Sequence, residues 1–506
     1  MNTDWNNLQV RPSSSHRWWL VSLGMAGVLG LLLGWVMTAI AHEGAKSPPL
    51  SRLPACRVAT TTCSLSELSR RDFGVVRVFP LGAKRQSDLL GLDGEQIREE
   101  LEPLYNIPCT NGFAEIYPCK HIDLLAFLPV TLFGDLVGNT LWGWTDRQTG
   151  REYVIAGVRN GTVFIDISQP TAPRYLGKLP SHSGESPWRD MKVYQNYAYI
   201  VSDFNPRHGM QVFDLTHLRT LTATTPVTLS EIAHYAVFSN SHNLVINEAS
   251  GFAYAVGSET CQGGLHMLDL RTPTEPTFAG CYGADGYVHD AQCLIYAGPD
   301  PAYQGREICF NANGDYQQKG ENQVAIVDVT DKTAPVGIAI LQWGEMGYAH
   351  QSWLTADHRY LLLDDELDEL EFHHNARTYV FDVGDLDQPR LIGHYTSRRP
   401  SVDHNLYISG TYVYQANYTA GLRILDLQQI ASAALREVAY FDTYPGSDQP
   451  EFTGAWSPYP FFASGVVAVS TIDRGLFLLK PQIPANPTDD QYLFLPNVVR
   501  DLTPAP

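Results

Sequence analysis

Four histidines recur at one place in a repeating strand pattern: His242-Asn243, His289-Asp290, His350-Gln351 and His404-Asn405 each open an apolar strand. A fifth copy opens with Arg189-Asp190, and two more carry Trp142 and Trp456 at that place. Neutral imidazole binds Zn, Cu, Fe or Ni, and carboxylates at Asp190, Asp290 and Asp403 could bind alongside or orient a ring through its second nitrogen. Successive strand residues point to opposite faces, so a histidine and its immediate neighbour are not expected in one coordination sphere. The repetition equally fits a structural use, in which each ring hydrogen-bonds the strand of the next repeat. Repetition alone does not separate the two.

The densest acidic run, Asp364, Asp365, Glu366, Asp368, Glu369 and Glu371, is followed by His373 and His374. It offers hard oxygen ligands suited to Ca²⁺, Asp364, Asp365, Glu366 and Asp368 foremost. A charge run after a strand ordinarily sits on a solvated loop, and the EF-hand spacing with its central Gly is missing. Asn311, Asn313 and Asp315 around Gly314 form a weaker oxygen cluster that reads as a turn. There is no G-x-S-x-G elbow, His-Glu-x-x-His helix, P-loop or dinucleotide-binding glycine fingerprint, which removes the commonest hydrolase, NTPase and oxidoreductase signatures. Scattered channel residues leave no short motif, however, and a fold does not decide a function.

The elements that must position these residues are repeats. The copies include Thr162-VFIDISQPTAPRYLG, Val324-AIVDVTDKTAPVGIA and Thr378-YVFDVGDLDQPRLIG, seven in all with a worn last copy at Gly475-LFLLKPQIP. Asp166, Asp214, Asp269, Asp328, Asp382 and Asp426 end the strand in six of them, at the span of a four-stranded blade. An Asp there starts a turn by accepting backbone N–H groups, so these six need no catalytic explanation. A hairpin before each copy supplies the two inner strands. The last repeat lacks its fourth strand, and Ile122-DLLAFLPV, ahead of the first repeat, would fill the gap and close the ring. The expectation is an all-β, seven-bladed β-propeller over 106–482, with a linker and cap over 42–105 and an extended tail over 483–506.

Residues 18–41 carry no charge and follow Arg11 and Arg17, so they read as a transmembrane anchor or signal helix behind a cytoplasmic tail, 1–17, with the remainder exported. Ala39-Ile40-Ala41 has signal-peptidase spacing, and cleavage after Ala41 would make the protein secreted. Within the segment, Gly30 and Gly34 form a G-x-x-x-G of a kind common by chance in apolar spans. All eight cysteines lie beyond it and pair by proximity as Cys56/Cys63, Cys109/Cys119, Cys261/Cys281 and Cys293/Cys309. No C-x-x-C is present. With 54 acidic against 35 basic residues and a net charge of -19, nucleic acid is not an expected partner.

The strand signature resembles LVIVD repeats. A wider set of motifs resembles the choice-of-anchor B family: Cys119-KHIDLLAFLPV, Trp142-GWTDRQTGREYVIAG, Trp188-RDMKVY, Ser241-HNLVINEASGFAYAVG, His289-DAQCLIYAGPD, Gly305-REICFNANGD, Leu361-LLDDELDE, Asp403-HNLY and Phe441-DTYPGSDQP. The resemblance spans about residues 110–480. It implies a surface-exposed or secreted propeller whose relatives differ in their tether, and it implies no reaction. The expectation is therefore a noncatalytic module outside the cell that recognises a protein, glycan or small ligand at the propeller face. The alternative is a metal-dependent hydrolase or oxidase built on His242, His289, His350 and His404.

Overall fold

The third strand of each repeat is apolar without alternation, and its position explains why. Gly161–Asp166, Gln323–Asp328 and Leu422–Asp426 are buried along their whole length. Full burial requires cover on both faces, and here each blade is packed between two others. The computed structural model describes residues 101–221, 225–314 and 322–484. The 18–41 segment, Cys56, Cys63 and Asp315 lie outside them.

Seven antiparallel blades radiate from a channel, each giving its first strand to the channel wall. These innermost strands are Gly138–Thr145, Arg189–Tyr194, Asn243–Asn247, Asp290–Ile295, Ala349–Leu354, Asn405–Ser409 and Ala455–Tyr459, for blades 1 to 7. The strand Ile122–Pro129 pairs with Gly475–Pro481 and completes blade 7, so both ends of the propeller are held in one sheet. Leu104–Ile107 adds a fifth strand outside it. Tyr117–Lys120 and Phe113–Ala114 extend blade 6.

The core is a ring of seams. Leu128, Leu478, Val154 and Val163 fill the joint between blades 7 and 1, and Ile308, Phe310, Leu361 and Phe381 that between blades 4 and 5. Every other neighbouring pair has its own cluster. The repeated aspartates do what their position suggested. Asp166, Asp214, Asp269, Asp328, Asp382 and Asp426 each accept the backbone N–H two residues on, at 2.9–3.0 Å, which starts the turn to the outer strand.

Buried Asp146, at the end of blade 1's inner strand, takes two bonds from Arg219 of blade 2, both 2.8 Å. These bonds are the main reason its pKa falls to about 2. A carboxyl whose pKa is depressed by folding stabilises the fold above its unfolded value, near 3.8, and that contribution disappears as pH falls through the folded value. Arg219→Ala is therefore expected to lower the urea midpoint at neutral pH, with the gap to wild type closing as pH approaches about 2.

Cys109–Cys119, Cys261–Cys281 and Cys293–Cys309 form disulfides, the chemistry of an oxidising, extracytoplasmic compartment. Among the described residues no helix is long and apolar enough to cross a membrane.

Candidate functional site

Blades 3 to 6 bring His242, His289, His350 and His404 into a continuous arc at the channel. Successive ring centroids stand 4.4, 4.1 and 4.2 Å apart. Because each histidine sits at the start of the innermost strand, the ring symmetry of the fold converts one sequence position into a row of facing imidazoles. Thr140, Trp188 and Trp456 line the same cavity, which has a volume of about 50 Å³.

Two of the rings bond the neighbouring blade through Nδ1. His289 donates from Nδ1 to the His350 carbonyl at 2.8 Å, and His404 from Nδ1 to the Trp456 carbonyl at 2.5 Å. Each therefore bonds the neighbouring blade as a structural cap would. A carbonyl only accepts, so in these two rings Nδ1 carries the proton and Nε2 keeps its lone pair, the tautomer that binds a metal. His242 instead places Nδ1 2.8 Å from Asp203 Oδ2. Burial opposes its cation, but Asp203, with the charges of Glu366 and Asp290, raises its pKa overall. For His404 burial pushes the pKa down to about 3. Burial and neighbouring rings hold His289 and His350 well below the ordinary histidine value, so these three are neutral at physiological pH.

Glu366 completes the group. Ligand atoms of His350, Glu366 and His404 all lie within 4.8 Å of one another, and the three side chains are buried. Glu366 Oε1 stands 3.7 Å from His404 Nε2 and accepts the Tyr418 hydroxyl at 2.7 Å. The acidic run thus corrects the solvated-loop expectation. Asp364, Asp365, Glu366, Asp368 and Glu369 are buried, with Asp368–Phe372 turning as a short helix. Asp365 is consumed by structure, accepting Trp343 Nε1 and the Gly347 and Tyr348 N–H groups. Asn311 and Asn313 also depart from expectation: they belong to the strand Glu307–Asn313 rather than a turn.

Of the expected acidic partners, Asp190 and Asp290 line the histidine cavity and Asp403 does not. Asp190 binds Lys192 through both oxygens at 2.8 Å and accepts the Leu244 N–H of blade 3, so it clasps two blades. Asp290 reaches the cavity wall, and burial, partly offset by Lys192, pushes its pKa up to about 7. Asp403 accompanies Glu369, which accepts its N–H. In the flanking blades 1 and 2 the residue at the histidine cavity differs from the one expected at the repeated position. Trp188 lines the cavity in place of Arg189, which is buried against His208 and Ser181. Irregular pairing between Gly138 and Leu141 leaves Thr140 in blade 1's place at the histidine cavity. Trp142 lines a second cavity of about 140 Å³ with Trp353, Tyr407 and Glu248. Lys192, Asp290 and Tyr407 form a wall common to both.

The fold and the repeat match together support an LVIVD-repeat β-propeller. The LVIVD repeat matches residues 152–179, in blade 1. No curated protein matches the chain. Among solved structures it is similar to hydrazine synthase of Kuenenia stuttgartiensis, at 10% identity and TM-score 0.47, over 66% of this chain and 93% of that one. It is also similar to the Cps50 (Swd1) β-propeller domain of Myceliophteria thermophila, at 12% identity and TM-score 0.43, over 68% and 95%. The periplasmic gluconolactonase of Pseudomonas aeruginosa aligns at 12% identity and TM-score 0.41, over 59% and 86%. At such identities these likenesses concern the fold and carry no argument about activity.

Proposed function

We propose that this chain is an extracytoplasmic binding module of the cell envelope whose channel holds a first-row transition-metal ion, ligated by His350, His404 and Glu366. The observation that carries the reading is the convergence of two imidazoles and one carboxylate within 4.8 Å in a buried cavity. The neutral state of both rings supports it, as does the Nδ1 bond that fixes the His404 tautomer. Residues 18–41 would tether or export the module, in keeping with the resemblance to choice-of-anchor B proteins, and loops at the propeller face would meet its protein, glycan or small ligand.

A second reading makes the same centre catalytic, a hydrolase or oxidase using metal-bound water. The paired cavities, about 50 and 140 Å³ with a common wall, favour it by giving a small substrate space beside the ligands. Elemental analysis tests the metal directly. Full-length protein purified without chelator is expected to carry stoichiometric Zn, Cu, Fe or Ni, and the His350→Ala/His404→Ala double variant to carry none. A well-folded wild type that takes up no transition metal when each is offered would sink both readings. A loaded protein inert towards esters, lactones and oxidisable small molecules would leave the binding module standing.

A further inference from the structure

Further along the same inner strands lies the larger of the two cavities, about 140 Å³, and its wall is divided by chemistry. Blades 1, 5 and 6 give it aromatic rings. Tyr407 stands edge to face with Trp142 at 5.7 Å and with Trp353 at 4.9 Å, so the three form one continuous wall. Blades 2, 3 and 4 give the polar side, Lys192, Glu248, Asp290 and Gln292. His242 precedes the strand Asn243–Asn247 and Glu248 follows it, so Glu248 stands at the far end of that strand from the histidine arc. It is exposed, which marks the end from which a solute enters.

The charges of this wall do not balance. Lys192 is the one cation among the lining residues, and Asp190 takes its charge through both oxygens at 2.8 Å. Its pull on Asp290 acts at longer range, without an ion pair. Asp290 is 8% exposed and accepts only the N–H of the next residue, Ala291, at 2.7 Å. Gln292 spends its oxygen on the Leu354 N–H, at 2.8 Å, and has only donors left to offer. A buried carboxylate calls for a counter-charge, and the faces of Trp and Tyr rings attract cations through their quadrupole. An anionic solute would meet two carboxylates here, and a neutral one would leave Asp290 unmatched. A small cation suits both halves of the wall.

We infer that the larger cavity binds a small methylated ammonium ion, held between the rings of Trp142, Tyr407 and Trp353 and the carboxylates of Asp290 and Glu248. The rest of the lining, Val193, Val245, Ile246 and Ala291, is apolar. It receives methyl groups, whereas a bare ammonium would need several acceptors for its N–H groups. A cavity of about 140 Å³ is close in size to an engineered one that takes up benzene, which sets the size of the ion. The site requires no metal and stands apart from the histidine centre, with Asp290 and Tyr407 as the wall between them.

Choline is the probe, and its uncharged isostere, in which carbon replaces the nitrogen, is the control. Calorimetry of the full chain is done at about pH 8, where Asp290 is ionised because burial raises its pKa only to about 7. Wild type is expected to bind one choline, and the isostere about 10-fold or more weakly. Trp353→Ala and Asp290→Asn should each weaken choline about 10-fold. Glu248→Gln, at an exposed position that the fold does not depend on, should weaken it about 3-fold. The His350→Ala/His404→Ala variant should bind choline as wild type does, so this site and the transition-metal centre are read separately. No binding of choline, equal affinity for the isostere, or binding that survives both Trp353→Ala and Asp290→Asn would overturn the inference. Should those two variants fail to fold, the contrast between choline and its isostere on wild type and on Glu248→Gln decides.

Discussion

Glu366→Gln is expected to weaken transition-metal binding on the order of 100-fold or more, a loss at least as large as those from removing groups that merely support a ligand. The substitution is chosen for what it keeps. An amide oxygen still accepts the Tyr418 hydroxyl now 2.7 Å away, and side-chain volume hardly changes in a site that is 5% exposed. What it removes is, among the described residues, the one carboxylate whose ligand atom converges with those of His350 and His404. Co²⁺ titration followed by its visible absorption measures the change, because band intensity reports both affinity and coordination geometry. Unaltered affinity would show that Glu366 is a hydrogen-bond acceptor for Tyr418 and no ligand, leaving the metal to the histidines alone. His242 is the natural candidate in that event, since Asp203 holds its Nδ1 and leaves the opposite nitrogen for the channel.

The propeller was legible because each blade repeats local chemistry. The Asp that ends Gly161–Asp166 makes the same turn bond as those ending Gln323–Asp328 and Leu422–Asp426, so one type of residue marks the blade boundary wherever it occurs. The histidines were legible for the same reason, since a repeated position in a ring fold becomes a set of neighbours in space. Glu366 was not, although strand pairing would have exposed it. In an antiparallel hairpin the end of the second strand lies beside the start of the first, and Ala349 pairs with Asp365. Residue 366 therefore has to stand next to the start of the His350 strand. Composition favours solvent for such an acidic run, and only tertiary packing reveals that Asp364, Asp365, Glu366, Asp368 and Glu369 are buried, with Glu366 beside His404 and Asp365 bonded to Trp343. Trp142 was misplaced because an irregularity in the pairing between Gly138 and Leu141 changes which side chain meets the histidines. Irregular strand pairing is set by the fit between blades and has no clear sequence mark.

Lys332→Met should destabilise the protein by about 3–5 kcal/mol, the usual cost of removing one partner from a buried ion pair. Lys332 and Glu307 are 8% and 4% exposed, with Nζ 2.8 Å from Oε2. Glu307 opens the second strand of blade 4, and its Oε1 accepts Asn247, Ser250 and Tyr254 of blade 3, at 2.7, 2.7 and 2.6 Å. Oε2 depends on the lysine. Methionine fills much the same space and can keep the contact now made with the Phe252 ring, 4.2 Å from Nζ, so the loss reports the charge left behind together with the Nζ bond to the Val329 carbonyl, 2.7 Å, rather than a cavity. Adding Glu307→Gln removes that charge, and the double variant should recover most of the lost stability because neutral partners need no counter-ion. Urea unfolding of wild type, both single variants and the double variant forms the cycle. If Lys332→Met costs less than about 1 kcal/mol, solvent reaches Glu307 and the joint between blades 3 and 4 is held by its apolar seam of Tyr254, Met267, Ala325 and Val327 instead. A large loss recovered in the double variant would mean that this seam tolerates a buried charge only because the lysine meets it.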